Sequence, residues 1–343
     1  MKLSINLTGW LLAALLVLPV RADNINIVGS STVYPFATIA AERFSQSGDF
    51  SAPKIESTGS GGGMKLFCKG VGLDTPSVTN SSRRMKKSEQ QLCAQNGVGD
   101  VLEVKIGYDG IVVAQSLQGE EMALDHRQLF LALAKQTPGA GGALSDNPNE
   151  TWQDVDASLP PVAIKVYGPP PTSGTRDAFV ELAMENGCSS FAELQALKKS
   201  DKNRFKAVCH GLREDGGYID QGENDNIIIQ KLASNPDTLG IFGYSFLEEN
   251  RDKVRGIPIE NVAPTFDAIA DGEYPVSRPL FFYVKLAHYD KVAGLQEFVE
   301  FFVDPEVMGE DGFLSDSGLI PLPANEYNDV ADAISSQRPM ELL

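Results

Sequence analysis

The stretch Val162-Ala163-Ile164-Lys165-Val166-Tyr167 followed by Pro169-Pro170-Pro171 and Ser173-Gly174-Thr175-Arg176-Asp177 decides how this chain folds. Its first six residues read as a strand. The three prolines read as a loop, and the apolar-periodic run from Ala178 to Met184 reads as a helix. A strand therefore ends in a loop that feeds the first turn of a helix. That turn carries unpaired N–H groups and the positive end of the macrodipole. The small residues let an anion come close, and the hydroxyls of Ser173 and Thr175 and the guanidinium of Arg176 add donors beside the Gly174 backbone.

The same arrangement occurs twice more. Gly29-Ser30-Ser31-Thr32 follows a short β-like stretch, residues 24–28, and leads into Tyr34-Pro35-Phe36 and a helical run to Phe44. Thr58-Gly59-Ser60-Gly61-Gly62-Gly63 follows a second short strand near Lys54-Ile55-Glu56 and leads into Met64-Lys65-Leu66-Phe67. Short strands alternating with helices predict an α/β fold with a mostly parallel sheet. In such sheets ligands sit at the carboxyl ends of the strands, where these loops gather. A glycine run alone can be a flexible turn; three hydroxyl- and glycine-rich loops, each opening a helix, suit a buried tetrahedral oxyanion.

Further along, residues 103–115 read as a longer strand broken at Tyr108-Asp109-Gly110, and residues 136–149 as a surface loop. Residues 227–233 read as a helix, Leu239-Gly240-Ile241-Phe242-Gly243-Tyr244 as a buried strand, and Tyr274-Pro275-Val276-Ser277-Arg278-Pro279 as a lead into the strand 280–284. Residues 294–308 have helical periodicity, with Leu295, Phe298, Phe301 and Phe302 on one face.

At 343 residues the chain suits two domains. Lys2, an apolar run from Trp10 to Val20 and Val20-Arg21-Ala22 read as an export signal over residues 1–22, cleaved after Ala22. The run is too short to span a bilayer, and no cysteine stands at the junction. Removing the signal takes away Lys2 and Arg21 and no acid, so the formal charge moves from −17 to −19. Such a chain does not bind nucleic acid through its general field. An anion must be held by local donors, against that field. Four cysteines in an exported chain, Cys68, Cys93, Cys188 and Cys209, suggest disulfides. Three pairings are open; the nearest-neighbour one keeps each bridge local. Their spacing matches no zinc motif, and His126, His210 and His288 are isolated in sequence, so neither a metal nor a cofactor is expected.

The export signal, Gly-Ser-Ser-Thr-Val-Tyr-Pro at 29–35, Thr-Gly-Ser-Gly-Gly-Gly at 58–63 and Ser-Gly-Thr-Arg-Asp at 173–177 together resemble the phosphate-binding proteins of ABC phosphate importers, the PstS-like type II periplasmic binding proteins. The resemblance runs through the mature chain in order. It implies a two-lobed α/β fold joined by two crossing strands near residues 111–114 and 276–282. Lobe one would be 23–111 with 277–343, and lobe two 112–276. Each local disulfide, Cys68–Cys93 and Cys188–Cys209, then stays inside one lobe, whereas a Cys68–Cys188 bridge would oppose hinge closure. By motif the phosphate ligands would be Ser31 and Thr32 from the first loop, Ser60 from the second, Ser82 and Arg83 from the segment after it, and Ser173, Gly174, Thr175 and Arg176 from the third. The family's arginine four residues before the serine is Pro169 here, and Arg176 is the natural substitute. Where some members carry an aspartate, this chain has Asn80-Ser81-Ser82-Arg83-Arg84-Met85 without an acid, which predicts a narrower preference for phosphate over sulfate. The expected molecule is a periplasmic, monomeric, non-enzymatic receptor that hands phosphate to a membrane ABC permease. The near alternative is the same fold serving another tetrahedral oxyanion such as sulfate; the rival from another class is an exported phosphoester hydrolase using Ser60 or Ser173, which no nucleophile-elbow pattern supports.

Overall fold

Strand β1 (Asn26–Gly29) lies between β2 (Lys54–Ser57) and β3 (Val78–Ser81), parallel to both. The computed structural model describes residues 24–46, 48, 50–222 and 224–341; the expected export signal lies outside them. Parallel neighbours need crossover connections, and helices provide them here. Helix α1 (Tyr34–Gln46) links β1 to β2, and α2 (Ser60–Phe67) links β2 to β3. Helix α3 (Lys87–Gln95) then leads to β4, a long strand from Val101 to Ser116.

β4 belongs to both halves of the sheet. From Val101 to Gly110 it pairs antiparallel with β11 (Ser277–Lys285), and from Ile111 to Gln115 it pairs antiparallel with β9 (Leu239–Gly243). The change of partner falls between Gly110 and Ile111. The first half-sheet thus runs β2-β1-β3-β11-β4. The second runs β4-β9-β7-β8, with β7 (Val166–Gly168) parallel to β8 (Tyr218–Asp220) and to β9. β10 (Val254–Gly256) pairs with β4. Helix α4 (His126–Leu133) packs against the helical segments of residues 180–189, and β5 (Gln136–Pro138) and β6 (Leu144–Asp146) form a small antiparallel pair after it.

Both faces of the first half-sheet are covered. On one, α1 buries Phe36, Ala37, Ala40, Ala41 and Phe44, a helical stripe, and Phe44 meets the Phe298 ring edge-on at 5.3 Å. Each such phenylalanine contributes about 2–3 kcal/mol by leaving water. On the other face Met64, Phe67, Met85 and Phe281 pack around the Cys68–Cys93 disulfide. The second disulfide, Cys188–Cys209, joins helical segments of the second half. Neither bridge crosses from one half-sheet to the other, as the local pairing requires.

The long strand is not broken at Tyr108-Asp109-Gly110. The register instead shifts once, between Leu280↔Gly107 and Phe281↔Lys105, and Gly107 takes φ 147° to absorb the bulge. The turn-like residues are held extended by pairing on β11 and by the bond from Tyr108 N–H to the Ile320 carbonyl, 2.8 Å. The segment expected as a loop at 136–149 contains the β5–β6 pair. The helical run at 294–308 is two helices, eight residues at Leu295–Phe302 and a single turn at Pro305–Met308, because Pro305 starts a new helix at its N1 or N2 position.

Candidate functional site

Four loops leave the carboxyl ends of parallel strands and converge. β1 ends at Gly29 and gives Ser30–Val33; β2 gives Thr58-Gly59-Ser60; β3 gives Ser82-Arg83; β7 gives Pro169–Ser173. The first loop is tied to the third strand by the bond from Ser30 N–H to the Asn80 carbonyl, 3.0 Å. The second loop approaches the first because Gly63 has no side chain. A Cβ there would lie 2.6 Å from the Gly29 Cα, so the first turn of α2 settles directly on the end of β1.

Ser60 and Ser82 are brought together. Their hydroxyls are 3.2 Å apart, and the Ser60 hydroxyl oxygen accepts from the Ser82 N–H at 3.1 Å. Arg83 lies over the same glycine loop: its Nη2 is 3.9 Å from the place a Cβ would take at Gly61. Its guanidinium is engaged in a bidentate pair with Glu89, at 2.9 and 2.7 Å. The Glu89 hydrogen bonds, outweighing burial, hold the Arg83 pKa above its ordinary value.

The third loop opens helix α5 (Gly174–Phe179), which runs on through a π-helical turn, Val180–Met184. Ser173 is buried and caps the helix, its hydroxyl accepting from the Thr175 N–H at 3.2 Å. Arg176 extends toward its own loop, 3.4 Å from the Pro169 carbonyl, with its guanidinium 4.8 Å above the Tyr218 ring. Tyr218 donates to the same carbonyl at 2.6 Å, and burial pushes its phenol up to about 12 against the opposing Arg176 charge.

The loops of the two half-sheets touch. Ser31 donates to Asp177 Oδ2 at 3.1 Å, and a Cβ on Gly174 would stand 3.3 Å from the Ser31 carbonyl. Thr32 is buried and meets Arg278, whose Nη2 donates to its Oγ1. The structure therefore gathers Ser31, Thr32, Gly174, Ser173 and Thr175 at one junction, with Ser60, Ser82 and Arg83 on the adjoining loops of the first half-sheet.

Three groups at this junction, Arg278, Asp109 and Glu181, were not among the ligands named from the motifs. Arg278 is 7% exposed and also reaches Asp109 Oδ2 at 3.4 Å and Glu181 Oε2 at 2.9 Å. Burial raises the Asp109 carboxyl above its ordinary value, against the Arg278 charge and hydrogen bond. A sequence signal existed: an arginine entering the apolar strand 280–284 needs a buried counter-charge. Asp177 and Glu181 stand four residues apart, one above the other on the helix, which is also a readable spacing. Among the described residues no group of three or more His, Cys, Asp or Glu could hold a metal ion, and no helix is long and apolar enough to cross a membrane.

Residues 19–306 match the family described as the PBP superfamily domain. Among curated proteins the chain is 27% identical over 317 residues to "Protein SphX" of Synechococcus elongatus, covering 90% of this chain and 81% of that one. It is 26% identical over 310 residues to "Phosphate-binding protein PstS" of Staphylococcus saprophyticus, covering 88% and 81%. Among solved structures it is similar to "a possible phosphate binding protein" from Planctomyces limnophilus, with a TM-score of 0.71, 25% identity and coverage of 92% and 98%.

Proposed function

The chain belongs to the PBP superfamily, and from that premise we propose that it captures inorganic phosphate between two lobes and delivers it to an ABC permease. The observation that carries this reading is the contact between donor loops of the two half-sheets, Ser31 to Asp177 and Ser31 to Gly174, beside the paired hydroxyls of Ser60 and Ser82. The lobes are 23–111 with 277–343, and 112–276, meeting where β4 changes partner. The protein is a monomer acting in the periplasm after cleavage behind Ala22.

Each lobe supplies part of the anion's shell. Ser31, Thr32, Ser60, Ser82 and Arg83 come from the first, and Ser173, Gly174, Thr175 and Arg176 from the second. A bound anion that bonds to both lobes favours the closed arrangement by its differential affinity for it. Many neutral donors and few formal charges suit a dehydrated dianion in a protein of net charge −17. The Ser60 hydroxyl bonds to Ser82, and the Ser173 hydroxyl accepts from the Thr175 N–H, so both are engaged within the donor loops.

Calorimetric titration with phosphate, sulfate and a phosphomonoester tests the reading. Saturable phosphate binding without turnover of the ester is expected. Turnover, or binding of the ester alone, would overturn it.

A further inference from the structure

Resting on that reading, we propose that Arg278 is a direct ligand of the anion and that Glu181 is an internal carboxylate which the anion displaces from it. Arg278 stands on β11 opposite Asp109, one pair from the point where β4 changes half-sheets. It therefore stands on the first half-sheet, at its boundary with the second. Its guanidinium contacts both sides at once: Nη2 reaches Thr32 of the first loop, and Nη1 reaches Glu181 on the π-helical turn of the second half.

The two carboxylates on Arg278 are not equivalent. Asp109 has 13% of its side chain exposed, is fixed by the strand, and bonds through Nε. It neutralises the buried guanidinium and stays with it. Glu181 is 44% exposed and sits on a helical turn of irregular pitch. Its other oxygen, Oε1, is 4.0 Å from Lys206 Nζ, itself 44% exposed. Glu181 thus stands between an inner cation and an outer one. It can leave Arg278 without becoming an unpaired charge, which removes most of the cost of its departure.

An oxyanion has reason to take its place. The Nη edge that Glu181 uses is a planar pair of donors matched to two oxygens of a tetrahedral anion. The neighbouring Thr32 hydroxyl belongs to the loop that already meets Gly174 and Asp177. A dianion at that edge and a carboxylate beside it repel each other at short range in a partly desolvated site. One of them must move, and Glu181 has a second cation, Lys206, to go to. The observed affinity for the anion is then the intrinsic affinity reduced by the competing carboxylate.

The decisive variant is Glu181→Gln. It changes a half-exposed side chain and leaves Asp109 to neutralise Arg278, so folding is preserved. Phosphate titration of the wild type, Glu181→Gln, Arg278→Lys and Lys206→Ala reads the proposal. Expected results are a five- to tenfold tighter phosphate constant for Glu181→Gln, at least a thirtyfold weaker one for Arg278→Lys, and a two- to fivefold weaker one for Lys206→Ala. Melting curves without phosphate identify any variant that is unfolded. Should Arg278→Lys not fold, Glu181→Gln and Lys206→Ala still decide. Wild-type binding with Glu181→Gln unchanged or weaker would overturn this proposal alone. Absence of phosphate binding by the wild type would overturn the phosphate reading and this proposal with it.

Discussion

The Ser31 hydroxyl donates to the Asp177 carboxylate at 3.1 Å across 146 residues of sequence. This bond joins the loop after β1 to the first turn of α5, and so joins the two half-sheets at the point where their donors meet. It also places an acid in a site whose Ser82 segment has none.

Asp177, when ionised, only accepts hydrogen bonds. Phosphate near neutral pH keeps a proton to offer, and sulfate keeps none, so an acceptor-only group at the site penalises sulfate. Asp177→Asn should narrow the phosphate-over-sulfate ratio by roughly tenfold, about 1.4 kcal/mol. Competition titrations of the two anions measure it. A ratio equal to the parent's would limit Asp177 to orienting Ser31.

Arg176 has one long bond of 3.4 Å to the Pro169 carbonyl and a stacking contact with Tyr218. A guanidinium has five donors. Arg176→Ala should therefore weaken phosphate binding by roughly 1.5–3 kcal/mol, the range for charge-assisted hydrogen bonds, with little change in melting temperature. Parent-like titration of the variant would remove Arg176 from the ligand set.

Lys285 is fully buried, with its ammonium 2.6 Å from Thr75 Oγ1 and 4.9 Å from the Phe67 ring centre. Burial, opposed by Asp74, pushes its pKa down from 10.5 to about 8. Between those values the unfolded chain binds more protons than the folded one, so stability rises with pH from about 8 to 10.5. Lys285→Met should remove that rise and stabilise the protein at pH 7 by about 1–3 kcal/mol. Denaturant unfolding at pH 7 and 9.5 checks both parts; a parent that loses stability over this interval would contradict the assignment.

The two disulfides span 25 and 21 residues and stay within their own halves. Replacing either pair with serines should cost about 3 kcal/mol of stability. Phosphate affinity should change by less than about twofold, since neither bridge joins one half-sheet to the other. Melting and titration of the paired variants measure the two effects separately.

Much of this was readable in the sequence because it is local. The strand–loop–helix units around Ser31, Ser60 and Ser173 each declare themselves within about fifteen residues by hydroxyls, glycines and a following apolar period. The continuity of β4 was not readable, because Tyr108-Asp109-Gly110 favours a turn locally and is overruled by pairing with β11. Arg278 and Glu181 escaped for a related reason. Arg278 lies 246 residues from Thr32 and 97 from Glu181, so only the closing of the sheet brings them together. The break at Pro305 was visible in the residue itself and was hidden by the apolar periodicity on either side of it.

The most direct test of the whole account is a crystal structure of the protein grown with phosphate. The account expects one tetrahedral anion at the junction, within hydrogen-bond distance of Ser60, Ser173, the Thr175 N–H and a loop-one hydroxyl, with Arg278 turned to it. An anion seated elsewhere, or a junction without one in a protein that titration shows to be saturated, would contradict it.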